Sequence, residues 1–199
     1  MHAPAKWKVL TREEILEVVT DLRRRAKRSI NSKMNLTIFR LSCCYGLRVS
    51  EIAQLQMQHI DFACRHILIP VEITKSKRGR EVPMSWSTPG TNCLRMWKDI
   101  RLEQGAAATD PFICRLKDPV GTQLSRFIIG DRWRTAIRCL GPERVKRLSI
   151  HCGRHSFCTH ALASGKGIDL VRDAAGHSSC GVTDVYLHGI DDDREVFPD

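Results

Sequence analysis

Apolar positions recur at helical spacing near the start of the chain: Ile15, Val18, Val19 and Leu22 fall on one face of a helix. Ahead of them, Thr11-Arg12-Glu13-Glu14 places a capping threonine three residues before a glutamate, the reciprocal pattern of a helix start. A first helix is predicted from there to about Ser29. Leu36, Ile38, Phe39, Leu41 and Cys43 predict a second, about Lys33 to Tyr45, apolar on so much of its circumference that it is largely buried. Gly46 stops it. Ser50-Glu51 opens a short third helix, with Ile52 and Leu55 facing inward.

The period changes between His59 and Met84. Ile60-Asp61-Phe62, His66 to Ile69 and Glu81-Val82-Pro83 are short strand-like pieces. Between the last two lies Thr74-Lys75-Ser76-Lys77-Arg78-Gly79-Arg80, a basic turn with one glycine. The pattern predicts a small antiparallel sheet with a cationic hairpin tip, and Pro70 marks an edge or an irregularity in it. Beyond Pro89-Gly90 helices are predicted over about Thr91 to Gln104, Leu124 to Leu140, His155 to Ser164, Asp169 to Ala175 and Gly181 to Leu187, with 105–122 as a loop. The fold class is α+β, mainly helical, with one small three-stranded antiparallel sheet.

A length of 199 residues suits one domain, and 42% hydrophobic residues excludes wholesale disorder. No apolar run approaches the roughly 18 residues of a membrane span. The opening Met-His-Ala-Pro-Ala-Lys-Trp-Lys lacks the apolar centre of a signal peptide. A soluble, cytoplasmic protein with no membrane partner is expected. Charge adds a partner: 32 lysines and arginines stand against 22 acids, a net +10. The acidic tail 191–199 holds five acids and one arginine, so the rest has 31 bases against 17 acids. A basic body suits a polyanion, because neutralising phosphates releases counterions. Nine cysteines in a chain read as cytosolic stay reduced, which argues against a disulfide framework, and the one cluster suggestive of zinc is Cys152, His155, Cys158 and His160. No C-x-x-C pair occurs, so most are read as small buried hydrophobes, and no metal or other cofactor is predicted.

Taken singly, the chemically capable residues are unremarkable: Arg48 after a glycine turn, Lys75 in a basic hairpin, His151 and Arg154 just before a helix, His177 after Gly176, and Tyr186. Together they make a kit for phosphodiester chemistry. Arginine forks grip nonbridging oxygens, tyrosine supplies a nucleophile, and histidine and lysine hold or move protons.

In these stretches the chain resembles the tyrosine recombinases, or phage-type integrases: Gly46-Leu47-Arg48-Val49-Ser50-Glu51-Ile52, Lys75 eight residues before Pro83, His151-Cys152-Gly153-Arg154-His155, Gly176-His177-Ser178-Ser179 and Tyr186-Leu187-His188. The resemblance implies the helical catalytic domain of that family, at about residues 10–190, with the N-terminal core-binding domain absent. It implies that Arg48 and Arg154 clamp the scissile phosphate and that Glu51 buttresses Arg48. Tyr186 would attack phosphorus, leaving a 3′-phosphotyrosyl link. Lys75 would protonate the departing 5′-oxygen, and His151 and His177 would bond the phosphate or assist proton transfer. Lys77, Arg78 and Arg80 would contact double-stranded DNA, and the protein would assemble as a tetramer on it. Gly153 departs from the leucine usual before Arg154, and Ala174-Ala175 are smaller than the usual apolar pair. Two rival functions share the motifs: a type IB topoisomerase-like DNA-relaxing enzyme, and a non-catalytic DNA-binding regulator derived from an integrase.

Overall fold

The threonine cap forms as predicted: the Glu14 N–H donates to Thr11 Oγ1 at 3.2 Å and the Thr11 N–H to Glu14 Oε2 at 2.9 Å. It opens α1, Arg12–Ala26, in a computed structural model that describes residues 6–75, 77–117 and 121–177. The second helix, α2, spans Ile30–Cys43, and every residue from Met34 to Cys43 is buried. It is the hub of the molecule. The helices α4 (Thr88–Glu103), α5 (Arg126–Ala136) and α7 (Ile150–Ala163) pack around it together with α1. Short α3, Val49–Gln54, follows the Gly46 turn.

The strands β1 (Ile60–Asp61), β2 (His66–Ile69) and β3 (Arg80–Pro83) form an antiparallel sheet in the order β1-β2-β3. Ile60 pairs with Ile67 and Ile67 with Val82, and all three are buried, so one face closes on the core. Pro70 ends β2, and the connection to β3 leaves Lys75, Lys77 and Arg78 exposed. Trp97 and Trp133 are core residues; their indole N–H groups donate to the Phe112 carbonyl (2.7 Å) and to Ser42 Oγ (2.8 Å).

Three boundaries differ from expectation. The predicted run to Leu140 breaks at Ile137 into a 3-10 turn, Arg138–Leu140. Helix α6, Pro142–Arg147, is unpredicted: its only apolar residue after Pro142 is Val145, and it is held from afar. Arg144 bonds both Glu14 oxygens (2.6 and 3.0 Å), the Val9 carbonyl (3.0 Å) and the Trp7 carbonyl. Helix α7 starts at Ile150 rather than His155, so His151 and Arg154 lie on its first turns and not ahead of it. Gly153 is kept inside that helix by a close approach: a Cβ there would lie 2.6 Å from Ser42 Oγ and 3.0 Å from Cys43 Sγ. The segment before α1 is tied to α7 as well. The Leu10 N–H donates to Ser156 Oγ at 2.8 Å, and His160 Nε2 donates to the Leu10 carbonyl at 2.8 Å.

Helix α8, Ile168–Ala175, ends on Gly176 with φ +64°. The helix predicted at about Gly181 to Leu187, the acidic tail and Tyr186 lie outside the described residues. Among the described residues no helix is long and apolar enough to cross a membrane, and no group of three or more His, Cys, Asp or Glu side chains could hold a metal ion. The eight described cysteines are free thiols, six of them buried.

Candidate active site

The site is built around one turn. Gly46 has φ +65°, and a Cβ there would lie 2.4 Å from the Phe157 ring, so both conformation and space demand glycine. The Leu47 N–H donates back to the Leu41 carbonyl at 3.0 Å, closing α2. The Gly46 carbonyl accepts from Arg154 Nη1 at 2.7 Å. Two residues on, Arg48 stands at the N-cap of α3. The same turn therefore fixes both arginines.

Glu51, fully buried, is shared between two guanidinium groups. Its Oε2 accepts from the Arg48 backbone N–H at 2.7 Å and its Oε1 from Arg48 Nη1 at 3.0 Å. Arg80 grips the same carboxylate as a fork, Nη1 to Oε1 at 2.9 Å and Nη2 to Oε2 at 2.8 Å. Burial by itself would raise the Glu51 pKa; the hydrogen bonds and charges, Arg80's foremost, reverse this and hold the carboxyl below its ordinary range. Arg48 Nη2 also donates to the Gly176 carbonyl at 2.8 Å, and Arg80 Nε to the Ala174 carbonyl at 2.7 Å. The end of α8 is thus pinned to α3, just before His177.

Arg154 is 7% exposed, and its Nη2 is buried with no hydrogen-bond partner among the described residues. Burial pushes its pKa down to about 10, helped by Arg48 and Arg80, which leaves it cationic at neutral pH. A buried charged donor left unpaired costs on the order of 1–3 kcal/mol or more, a cost that an anion within reach would remove.

Three imidazoles flank the arginines. Burial, then the charges of Arg154, Arg48 and Arg80, pushes the His177 pKa down to about 3. Burial, His151 and Arg154 push His155 to about 4. His151 keeps contact with solvent, yet desolvation of its packed side and the charges of Arg154 and Arg48 lower it too. All three are neutral at pH 7. Arg154 acts on every one of them, which places Arg48, Arg154, His151, His155 and His177 in one electrostatic neighbourhood.

The structure therefore gathers Arg48, Glu51, His151, Arg154 and His177. Lys75 is exposed on the hairpin and enters none of the hydrogen bonds made by Arg48, Glu51 and Arg154. Lys77 and Arg78 are exposed as well. Arg80 lies differently from these two. Its side chain is 6% exposed and spent on Glu51 and Ala174, because Arg80 and Val82 share the inward face of β3. The period-2 alternation of a strand was the signal for this: a residue two before a buried valine points inward as well.

An arginine pair braced by a buried carboxylate and edged with neutral imidazoles has the donors and the charge that suit a phosphate-sized anion, and it is set on a helical domain with a small sheet. The model of the phage integrase family matches residues 8–192, and the chain belongs to that family. The tyrosine recombinase XerC of Bifidobacterium longum (strain DJO10A) is 31% identical over 178 residues, covering 84% of this chain and 47% of that protein. A tyrosine recombinase of Pseudothermotoga lettingae is 28% identical over 150 residues, 75% of this chain and 47% of its own length. The chain spans about half the length of these curated relatives. In fold it is similar to the XerA recombinase, with a TM-score of 0.74 and 21% identity over 96% of this chain and 61% of that one. It is also similar to the XerH site-specific recombinase bound to its difH substrate, with a TM-score of 0.71 and 22% identity over 96% of this chain and 52% of that one.

Proposed function

We propose that this chain is the catalytic domain of a site-specific recombinase that cleaves and rejoins double-stranded DNA through a 3′-phosphotyrosyl intermediate. One observation carries the reading: Arg48 and Arg154 are fixed by the same turn, and the buried Nη2 of Arg154 lacks a partner among the described residues. Family membership supports it, as do relatives named tyrosine recombinase and a structural neighbour described as a pre-cleavage complex with its DNA site.

In this reading Arg48 and Arg154 hold the nonbridging oxygens of the scissile phosphate and stabilise the charge that grows on them. Neutral His151 takes the phenolic proton of Tyr186 as the phenolic oxygen forms a bond to phosphorus and the bond to the 5′-oxygen breaks, and Lys75 donates the proton that makes the 5′-hydroxyl. Rejoining runs the same steps backward from a 5′-hydroxyl of another strand, so the ester conserves the cleaved bond and no ATP or metal enters. Enzymes lower such barriers by about 8–23 kcal/mol, and positioning with cationic stabilisation is the source here. With a pKa held near 3, His177 is a hydrogen-bonding group rather than a base, until a phosphate anion offsets the neighbouring arginines. Exposed Lys77 and Arg78 touch the DNA backbone, and the active assembly is a tetramer on DNA in the cytoplasm.

The test is a nicked duplex whose cleavage releases a short fragment and traps the intermediate. Wild type is expected to form a protein–DNA adduct that survives denaturant, and Tyr186→Phe to form none. Equal behaviour of the two overturns the reading.

A further inference from the structure

The geometry points to Arg80 as a positioning residue for strand cleavage, one that holds Arg48 and His177 in place without touching DNA. This rests on the recombinase reading above. Arg80 opens β3 and pairs across the sheet with Ile69, at the foot of the hairpin that carries Lys75 five residues earlier. From there its side chain reaches inward to two other elements. Its fork closes on both oxygens of Glu51, and its Nε donates to the Ala174 carbonyl. Arg48 uses the same carboxylate and the next-but-one carbonyl, that of Gly176. The two arginines therefore grip two of the orphan carbonyls at the end of α8, just before His177, with Glu51 as their common brace.

Two consequences separate this role from mere packing. Without Arg80, the buried Glu51 carboxylate has Arg48 as its remaining arginine partner. It then draws the Arg48 guanidinium toward itself and away from a phosphate, and the site carries one positive charge fewer. The Ala174 carbonyl also loses its anchor, so of the two arginine tethers on the end of α8 only that of Arg48 remains. Lysine cannot repair this: an ammonium keeps the charge but cannot span two carboxylate oxygens and a carbonyl with one rigid fork. A Cβ at Gly176 would stand 2.9 Å from Arg80 Nη1, so α8 and the guanidinium already touch, and a differently shaped cation changes that contact.

The experiment measures duplex affinity, its salt dependence and the single-turnover rate of covalent-adduct formation for wild type, Arg80→Lys, and the doubly neutral Arg80→Met/Glu51→Gln. The double variant is included in case Arg80→Lys fails to fold, since it removes both buried charges together. Both variants are expected to bind the duplex within about threefold of wild type and with an unchanged salt slope, because no phosphate contact is lost. Both should form adduct roughly 10–100-fold more slowly, as for loss of an aligned catalytic donor. A wild-type cleavage rate in either folded variant overturns the proposal. So does a slope shallower by about one unit in the double variant, where the Arg80 cation is gone, which would make Arg80 a phosphate contact. An inactive wild type would sink the recombinase reading itself, and this proposal with it.

Discussion

Histidines at the centre of a cation cluster report on their surroundings through pH. In the unfolded chain His155 and His177 protonate near the ordinary value of about 6.5. In the folded protein burial and neighbouring cations delay this until about 4 and about 3. Across that window the unfolded chain binds more protons, so acid favours unfolding and stability rises with pH. The stability is fully present above about pH 6.5 and drains away as pH falls through the two folded values. The thermal midpoint is expected to drop between pH 7 and pH 5, and His155→Gln to shrink that drop. A wild-type midpoint that stays level over this range in calorimetry would contradict the assignment. The pair of arginines was readable from motif spacing. The brace was not: Glu51 was legible as a helper of Arg48, whereas its second guanidinium comes from Arg80, 29 residues away in sequence.

Helices announce themselves where their own residues carry the signal and hide where a distant partner does the holding. The cap at Thr11 and the apolar girth of α2 are local, and both were read correctly to within a few residues. Helix α6 is polar and is fastened by Arg144 to Glu14 across 130 positions, so nothing nearby betrays it. The first turns of α7 read as loop because Gly153 interrupts the apolar pattern. That glycine is there to let α7 meet α2 closely, and Ser42 cannot step aside, since its Oγ donates to the Phe39 carbonyl (3.0 Å) and accepts from the Trp133 indole (2.8 Å). Adding bulk at this position should therefore harm this chain. Gly153→Leu is expected to cost about 1–3 kcal/mol by overpacking, or a midpoint lower by roughly 2–4 °C per kcal/mol. A melt that matches wild type would show that α2 and α7 can part at little cost.

At the scale of the whole molecule the net +10 and the exposed hairpin cations set how affinity responds to salt. Each phosphate neutralised contributes about −0.9 to the slope of log affinity against log salt. Replacing Lys77 and Arg78 together by glutamine should flatten that slope by roughly 2. An identical slope in an anisotropy titration would take the hairpin tip off the DNA. The beginning of the domain is not a loose end: Leu10 is bonded through its backbone to Ser156 and His160 on the helix that bears Arg154, while Arg144 straps down Val9 and Trp7. A pull applied at Trp7 is thus delivered through these bonds to the helix that carries Arg154 instead of being spent on local unwinding.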